Sequence, residues 1–450
     1  DEDTVHRKID DAAAILRNDF ARSKTEFYFV GNAGHDGEAG VSIDWLNPAQ
    51  DGGTGIPLGA ILKARGSGAE RRGLVSPGPV LPKPGDSVRI HSAEDKERQS
   101  HKITAVESDG STGLWISIPE GVETGDGVYL TQTKAMTKRY PQIATGHHHS
   151  RREPGHDKAP VPEVAFGRSK TVSRGKAARD LLFPEGLYVA VSRIEDLYVL
   201  QSARPLRVML ALTRRTLAKL LEKGRPPLPF NKGELILTLD PYFPQGDEAY
   251  MGEAIETLLD EGYRQFVVNN PGHFSYFRGA SNGSDAVGLI AGPYLYTFNR
   301  WALSFVSSLG ADYVVSPLEN NRQNLEKTLD SACRSHAFVT IFAWPALFRI
   351  RANLGTKYRF NRFSDSRGEE FLLNSGDEGS IVYPERPFSI VDKVPFLQTA
   401  GFSRFILDLS GGKALKKAHY RDLIKSVREV VPLPDISRFN WKDGFFQQES

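Results

Sequence analysis

Between residues 181 and 450, apolar runs of two to five residues alternate with stretches whose apolar positions recur every three or four residues. Runs without polar alternation predict strands buried on both faces, and the spaced pattern predicts helices covering them. Strands are expected at Tyr188–Val191, Tyr198–Leu200, Val208–Leu212, Leu235–Leu239, Phe266–Val268, Val287–Ala291, from Val314, at Phe338–Phe342 and at Phe405–Leu409. Helices are expected over Thr213–Lys223, Ala249–Glu261, Asn321–Arg334 and Lys416–Val430, with a short one beside Val394 and Leu397. Leu295, Phe298, Ala302 and Phe305 predict the buried face of a further helix. About seven or eight such units predict an α/β fold, a TIM-like (β/α) barrel rather than an open sheet. Ligand groups gather at the carboxyl ends of strands in such folds. That rule selects Asn269, His273, Asn299, Ser316, Glu319 and Asn320 as candidate ligand-binding residues.

The first third reads differently. Asp3–Arg22 is amphipathic, with Val5, Ile9, Ala12, Ile15, Leu16 and Phe20 on one face, so residues 1–24 are expected to form a helix, the end of an upstream domain. Residues 25–145 hold short apolar segments broken by Gly, Pro and Asp, the pattern of a small all-β barrel. A weak repeat supports it: Gly85-Asp86-Ser87-Val88-Arg89-Ile90 recurs as Gly125-Asp126-Gly127-Val128-Tyr129-Leu130, a Gly-Asp turn entering a strand. Strands are also expected at Gly55–Leu62, with Gly59 as a bulge or bend, at Ile103–Val106 and at Leu114–Ile118. Residues 146–180 read as a basic linker, with eight Lys or Arg against four Asp or Glu, and with His147, His148, His149 and His156. A solvated connector is the plainest reading, and contact with phosphate is the functional one. No metal site is expected there. The TIM-like domain then covers 181–450.

Composition narrows the function. The 450 residues carry 57 Lys and Arg against 55 Asp and Glu, a net charge of +2, so no global field calls for a polyanion. Cys333 is the single cysteine, which rules out an internal disulfide and a cluster ligated by this chain alone. No apolar run has the length of a membrane span. The expectation is a soluble, cytoplasmic protein with no membrane partner, its oligomeric state open. The chain begins at Asp1 without a methionine, so an upstream portion is expected.

Two sets of residues could carry chemistry. Arg349, Arg351, Lys357, Arg359 and Arg362 interleave with Phe348, Tyr358, Phe360 and Phe363. Forked guanidinium groups suit phosphates and exposed rings stack on unpaired bases, so this run is a candidate RNA-binding segment. The competing reading is a strand with charged residues on one face and rings on the other. For hydrolysis, Ser316 with His336 or His273 is a candidate dyad, and Glu319, Asp365 and Asp408 are candidate acid–base groups. Ser316, Glu319 and Asp365 are the named catalytic candidates. No His-Glu-x-x-His and no Gly-x-Ser-x-Gly elbow leading into a helix occurs.

A resemblance joins these pieces. Ala291-Gly-Pro-Tyr-Leu-Tyr-Thr-Phe298-Asn299, followed by Leu309-Gly-Ala-Asp-Tyr-Val-Val-Ser316-Pro-Leu-Glu319, resembles a conserved segment of the U32 collagenase-like peptidase family. The segment 55–86 before it, the segment 388–408 after it and the closing Arg438-Phe-Asn-Trp-Lys-Asp-Gly-Phe-Phe446 fit the family in the same order, with Trp441-Lys442 where that family has Arg-Gly. The likeness covers most of 180–450 and, more loosely, the part before it. It implies either peptidase activity or the oxygen-independent hydroxylation performed by relatives that act on tRNA, ribosomal RNA or ubiquinone precursors. Those relatives use a cysteine-bound [4Fe–4S] cluster and prephenate. Where the family places the cysteines, this chain has Trp344 to Phe363 without a thiol, so a cluster is implied only if an upstream portion supplies the ligands. The expectation is an RNA- or macromolecule-binding portion of a hydroxylase-like protein. A peptidase acting on protein or peptide and a catalytically silent scaffold subunit are the alternatives.

Overall fold

The computed structural model describes residues 2–18, 55–76, 80–93, 98–110, 113–134, 160–166, 183–243, 247–278, 287–350, 353–356, 358–365, 368–376, 379–411 and 415–433. The chain forms two compact units, 1–158 and 159–450. No helix among the described residues is long and apolar enough to cross a membrane.

The first unit opens with helix α1, Glu2–Asn18. Its strands are β1 (Ile56–Arg65), β2 (Arg72–Val75), β3 (Ser87–His91), β4 (Arg98–Lys102), β5 (Val106–Ser108), β6 (Leu114–Ser117) and β7 (Gly127–Gln132). They make a curled antiparallel half-barrel in the order β4-β3-β7-β1-β2-β6-β5. Val88, Ile90, Ile116, Val128 and Leu130 fill its core. The long strand β1 crosses from one half of the sheet to the other. It bends at Gly59, whose φ of +119° is a left-handed setting suited to glycine, and the register with β7 shifts there. The repeated Gly-Asp turns are alike in detail. Asp86 accepts backbone N–H groups from Lys83 and Lys134, and Asp126 accepts them from Glu123 and Ala93. The expected strand Ile103–Val106 is instead the junction between β4 and β5, where buried Ile103 bonds to Asp86 through its N–H.

The second unit is a closed barrel of eight parallel strands. In barrel order these are β8 (Gly186–Val191), β9 (Arg207–Leu212), β10 (Leu235–Leu239), β11 (Gln265–Val268), β12 (Gly288–Ala291), β13 (Tyr313–Val315), β14 (Ala337–Ala343) and β20 (Arg404–Asp408), with β20 pairing back onto β8. Between β14 and β20 the chain inserts β15 (Phe348–Ile350), β16 (Arg362–Ser364), β17 (Glu370–Gly376) and β18 (Gly379–Pro384), an antiparallel sheet in the order β15-β18-β17-β16. The two-residue β19 (Phe388–Ser389) then pairs antiparallel with β14.

Alternation along each strand separates two cores. Val189, Leu210, Leu237, Val268 and Leu407 face the surrounding helices, whereas Tyr188, Met209, Ile236, Val267, Ile290, Phe338 and Ile406 fill the interior. The amino-terminal end is plugged. Phe183 and Tyr313 lie 4.9 Å apart, as do Tyr188 and Phe338. Arg404, only 2 % exposed, donates to the carbonyls of Phe183 and Ser335, both at 2.7 Å.

Several local expectations differ from the structure. Tyr198–Leu200 belongs to helix α2 (Ile194–Leu200), because Ile194, Leu197 and Leu200 share a helical face and pack inward. The helix after β12 begins only at Arg300, since Asn299 caps it by accepting from Ala302 N–H; Leu303 and Val306 form its buried face, and Phe305 stays 53 % exposed. The expected helix Asn321–Arg334 is two helices, Arg322–Thr328 and Ser331–Arg334, each with its own Asn or Asp cap. Of the basic linker, residues 160–166 belong to the barrel unit: Val164 and Phe166 are buried in its core, and the carbonyls of Pro162 and Ala165 accept from Arg300 and Ser307. The histidines of that linker and residues 438–446 lie outside the described residues.

Candidate functional site at the barrel mouth

The carboxyl end of the barrel is open because its uppermost inward residues are small or polar. Ala190, Ala211, Thr238, Asn269, Thr340 and Asp408 surround a cavity of about 120 Å³ with Met209, Val267, Val315 and Ile406 among its lining. Two further cavities adjoin it. One of about 270 Å³ lies against Tyr294, Tyr296, Glu319, Trp344, Tyr383 and Asp408. The other, of about 280 Å³, lies against Arg214, Asp240, Phe243, Asp247 and Ile381. All three share one side chain, Arg349.

Arg349 sits on β15 and projects from the inserted sheet across the mouth. Its Nη1 donates to Asp240 Oδ2 at 2.8 Å, just past the end of β10, and its guanidinium lies 5.1 Å from the Tyr294 ring centroid. Burial alone would lower its pKa, but Tyr294 and Asp240 more than offset this and raise it, so the group stays a cation. Tyr294 and Tyr383 both titrate above the ordinary phenol value through burial, Tyr383 at about 12. Both remain neutral donors at neutral pH.

Asp408 ends β20 on the same inward face as Arg404 and Ile406. Burial pushes its carboxyl pKa above the ordinary value, against the hydrogen bonds that its Oδ1 accepts from Ser410 N–H at 2.9 Å and Ser410 Oγ at 2.5 Å. Asn269 follows β11 and is 5 % exposed. Its Nδ2 donates to the Leu239 carbonyl at 2.8 Å, which fixes the amide orientation, and its Oδ1 is buried without a partner. The approach to Gly292 is close: a Cβ on that glycine would lie 1.9 Å from Asn269 Oδ1. Gly411 is a second close approach, where a Cβ would lie 2.2 Å from the Trp344 carbonyl oxygen. Tyr296 beside them is held at φ +48°, a left-handed setting that non-glycine residues adopt at a cost of about 1 kcal/mol or more.

The residues selected from sequence divide accordingly. Asn269 and Arg349 meet at the central cavity, and exposed Glu319 lines its neighbour. His273 supports Asn269 from behind. Its Nδ1 accepts the Asn269 N–H at 3.3 Å, its ring stacks on Phe243 at 4.9 Å, and burial lowers its pKa to about 4, leaving it neutral. Ser316 and Asn320 are buried and bonded to each other at 3.3 Å, and Asn320 also accepts from Asn324. Asn299 is a helix cap. Asp365 accepts the Glu369 N–H in the turn between β16 and β17.

The proposed Ser316–His336 pairing is divided by the barrel. Ser316 follows β13 at the mouth, whereas His336 precedes β14 at the plugged end and bonds to the Asp312 carbonyl at 3.0 Å. Of the basic and aromatic run, Arg351 and Lys357 lie outside the described residues. Arg362 is ion-paired with Glu370 and Glu385. Arg359 is exposed, and Tyr358, Phe360 and Phe363 form a ring cluster with Phe371. Sequence reasoning missed Asp240, Tyr294, Tyr383 and Ser410. The signal for Asp240 was present, since it follows β10 as Asn269 follows β11.

Cys333 does not suit a cluster. It is buried at 1 % exposure in the short helix before β14, and burial pushes its thiol pKa up to about 12. The described residues contain no group of three or more His, Cys, Asp or Glu placed to hold a metal ion. No protein-family model matches the chain, and no curated protein matches it in sequence.

Proposed function

We propose that the barrel mouth binds a small polar ligand, or one polar group of a larger substrate, and acts on it by general acid–base chemistry. The observation that carries this reading is the grouping of Asp408, Arg349 with Asp240, and the orphaned Asn269 Oδ1 around one cavity. Asp408 holds its proton to higher pH than an ordinary carboxyl, which suits a proton donor. Arg349 orients an anionic group, its bond to Asp240 using one of five guanidinium donors. Asn269 lines the same cavity, its amide held by the Leu239 carbonyl and packed on Gly292. A silent scaffold has no use for these features, because an unsatisfied buried carbonyl and a buried carboxyl each cost stability.

The U32-like resemblance supplies the candidate substrate classes. A macromolecule fits better than a free metabolite alone, because Phe348, Phe360 and Phe363 are 60 %, 40 % and 39 % exposed on the inserted sheet that carries Arg349. Such rings suit unpaired bases, so RNA modification is the leading class. Peptide hydrolysis is the second. It would use Asp240 and Asp408 rather than Ser316, whose hydroxyl is engaged with Asn320 and the Pro317 carbonyl.

Calorimetric titration of the protein with the four ribonucleoside 5′-monophosphates tests the reading. Binding is expected, weakened about tenfold by Arg349→Met or by Asn269→Leu, the scale of one charged or buried polar contact. No binding by any of the four, together with gelatin cleavage abolished by Asp408→Asn, would move the assignment to the peptidase. Neither result would leave the mouth without the proposed role.

A further inference from the structure

We propose that the outer face of β3, β4 and β7 in the first unit binds the phosphodiester chain of a single-stranded nucleic acid. This face belongs to the first unit, whereas the barrel mouth belongs to the second. Antiparallel partners point to the same side of a sheet, so the registers fix which residues share it. Arg89 is opposite Ser100 on β4 and opposite Tyr129 on β7. Ser87 is opposite Lys102, and His91 is opposite Arg98. Val88, Ile90, Val128 and Leu130 point the other way into the core. The outer face therefore carries Arg98, Arg89 and Lys102 with Tyr129 alongside, and no Asp or Glu occurs in β3, β4 or β7. Exposed Lys134 extends the row beyond β7, its stem lying over Gly85.

On the other half of the sheet Arg65 pairs with Glu107 at 3.1 Å and Glu120 accepts the Gly68 N–H. Between β3 and β4 the sequence carries Glu94, Asp95 and Glu97 ahead of Arg98, so Arg89 and Lys102 are the cations on which the basic character of the face depends. Edge protection is the competing explanation for the basic face, because β4 is an edge strand and charged residues discourage edge-to-edge pairing. It accounts for Arg98 and Lys102. It does not account for Arg89, which sits on an interior strand between β4 and β7.

Arg98 and Lys102 are four residues apart on one strand, about 14 Å at the usual rise, and Arg89 lies between them on the neighbouring strand about 5 Å away. That track spans a few nucleotides. Tyr129, half-buried and tilted against His91 at 4.7 Å, offers a ring at the strand position opposite Arg89. Cations following a backbone, with an aromatic ring to stack a base, are the elements of sequence-tolerant single-strand binding on a sheet.

The test uses the full chain and fluorescein-labelled twelve-residue oligouridylate and oligothymidylate, followed by fluorescence polarisation across a salt series. Both oligomers are expected to bind. Affinity should fall with salt at a log–log slope of about −0.7 for each phosphate contacted. Arg89→Ala combined with Lys102→Ala should weaken binding at least tenfold and shallow the slope by about 1.4. Tyr129→Phe should bind normally and Tyr129→Leu more weakly. The double variant should bind uridine 5′-monophosphate at the barrel mouth as the parent does, which separates the two sites. Binding of the RNA oligomer alone would assign the ligand to RNA through contacts with the 2′-hydroxyl, and equal binding would assign it to the shared phosphodiester. Absence of binding, indifference to the double variant, or equal dependence on Arg89 and Lys102 for a polyglutamate chain would overturn the proposal.

Discussion

At the scale of single residues, the mouth sets stability against use, and Asp408 shows it most directly. Its folded carboxyl has a raised pKa relative to the ordinary 3.8. The folded chain therefore holds this proton more tightly than the unfolded chain does. The stability this contributes is complete below about pH 3.8 and is lost as pH rises through the higher folded value. Asp408→Asn keeps an acceptor for Ser410 and removes the titration. At pH 7 the variant is expected to be more stable than the parent by about 1 kcal/mol in urea unfolding. The advantage should close as the pH falls toward 3.8. An advantage that stays constant with pH would mean the carboxyl is not displaced from its ordinary titration.

The same scale explains what sequence could reveal. Asn269, Ser316 and Glu319 were legible because strand-end polar residues are recognisable once the strands are. Their roles were not. Asn269 lines the cavity while Ser316 and Asn320 bond to one another, and only side-chain direction separates those outcomes. Asp240 and Arg349 meet across a sequence separation of 109, and no local pattern pairs them.

At the scale of elements, the barrel strands were readable because both faces are apolar, leaving runs such as Leu235–Leu239. The inserted sheet was not. Its strands alternate exposed and buried positions and carry Arg, Asn, Ser and Gly, which dilutes the apolar signal. The helix after β12 was placed too early because Leu295 and Phe298 continue its spacing, yet the short turn Pro293–Leu295 and the cap at Asn299 delay the helix.

The insert leaves and rejoins the barrel between β14 and β20, which pair with each other directly. Replacing residues 348–384 with a short Gly-Ser linker should therefore leave a barrel that still unfolds cooperatively, as followed by circular dichroism. The excised protein should lose nucleotide binding at the mouth, because Arg349 goes with the sheet. Loss of cooperative unfolding would show that the insert is part of the barrel's core rather than its cover.

At the scale of the whole molecule, each unit has a core of its own. The half-barrel core draws on residues from Ile56 to Leu130, and the barrel's two cores draw on residues from Val164 to Ile424. Among the described residues, no core cluster mixes the two. Expressed separately, residues 1–158 and 159–450 are each expected to show strand-containing circular dichroism and a single cooperative urea transition. A piece that fails to unfold cooperatively would locate a stabilising contribution outside its own cluster. The two-part division was visible as a change of hydrophobic period, from short broken segments to strand-then-helix units. The boundary was less visible, since Val164 and Phe166 lie in a stretch whose charge reads as linker.

The plug at the amino-terminal end has a kinetic meaning. With Arg404, Phe183, Tyr188, Tyr313 and Phe338 filling that end, the described residues close the central cavity there. A ligand at Asp408 therefore arrives and departs on the side of the mouth, where Arg349 lines all three cavities. Substrate arrival and product departure share that side, so each turnover has to clear it before the next begins.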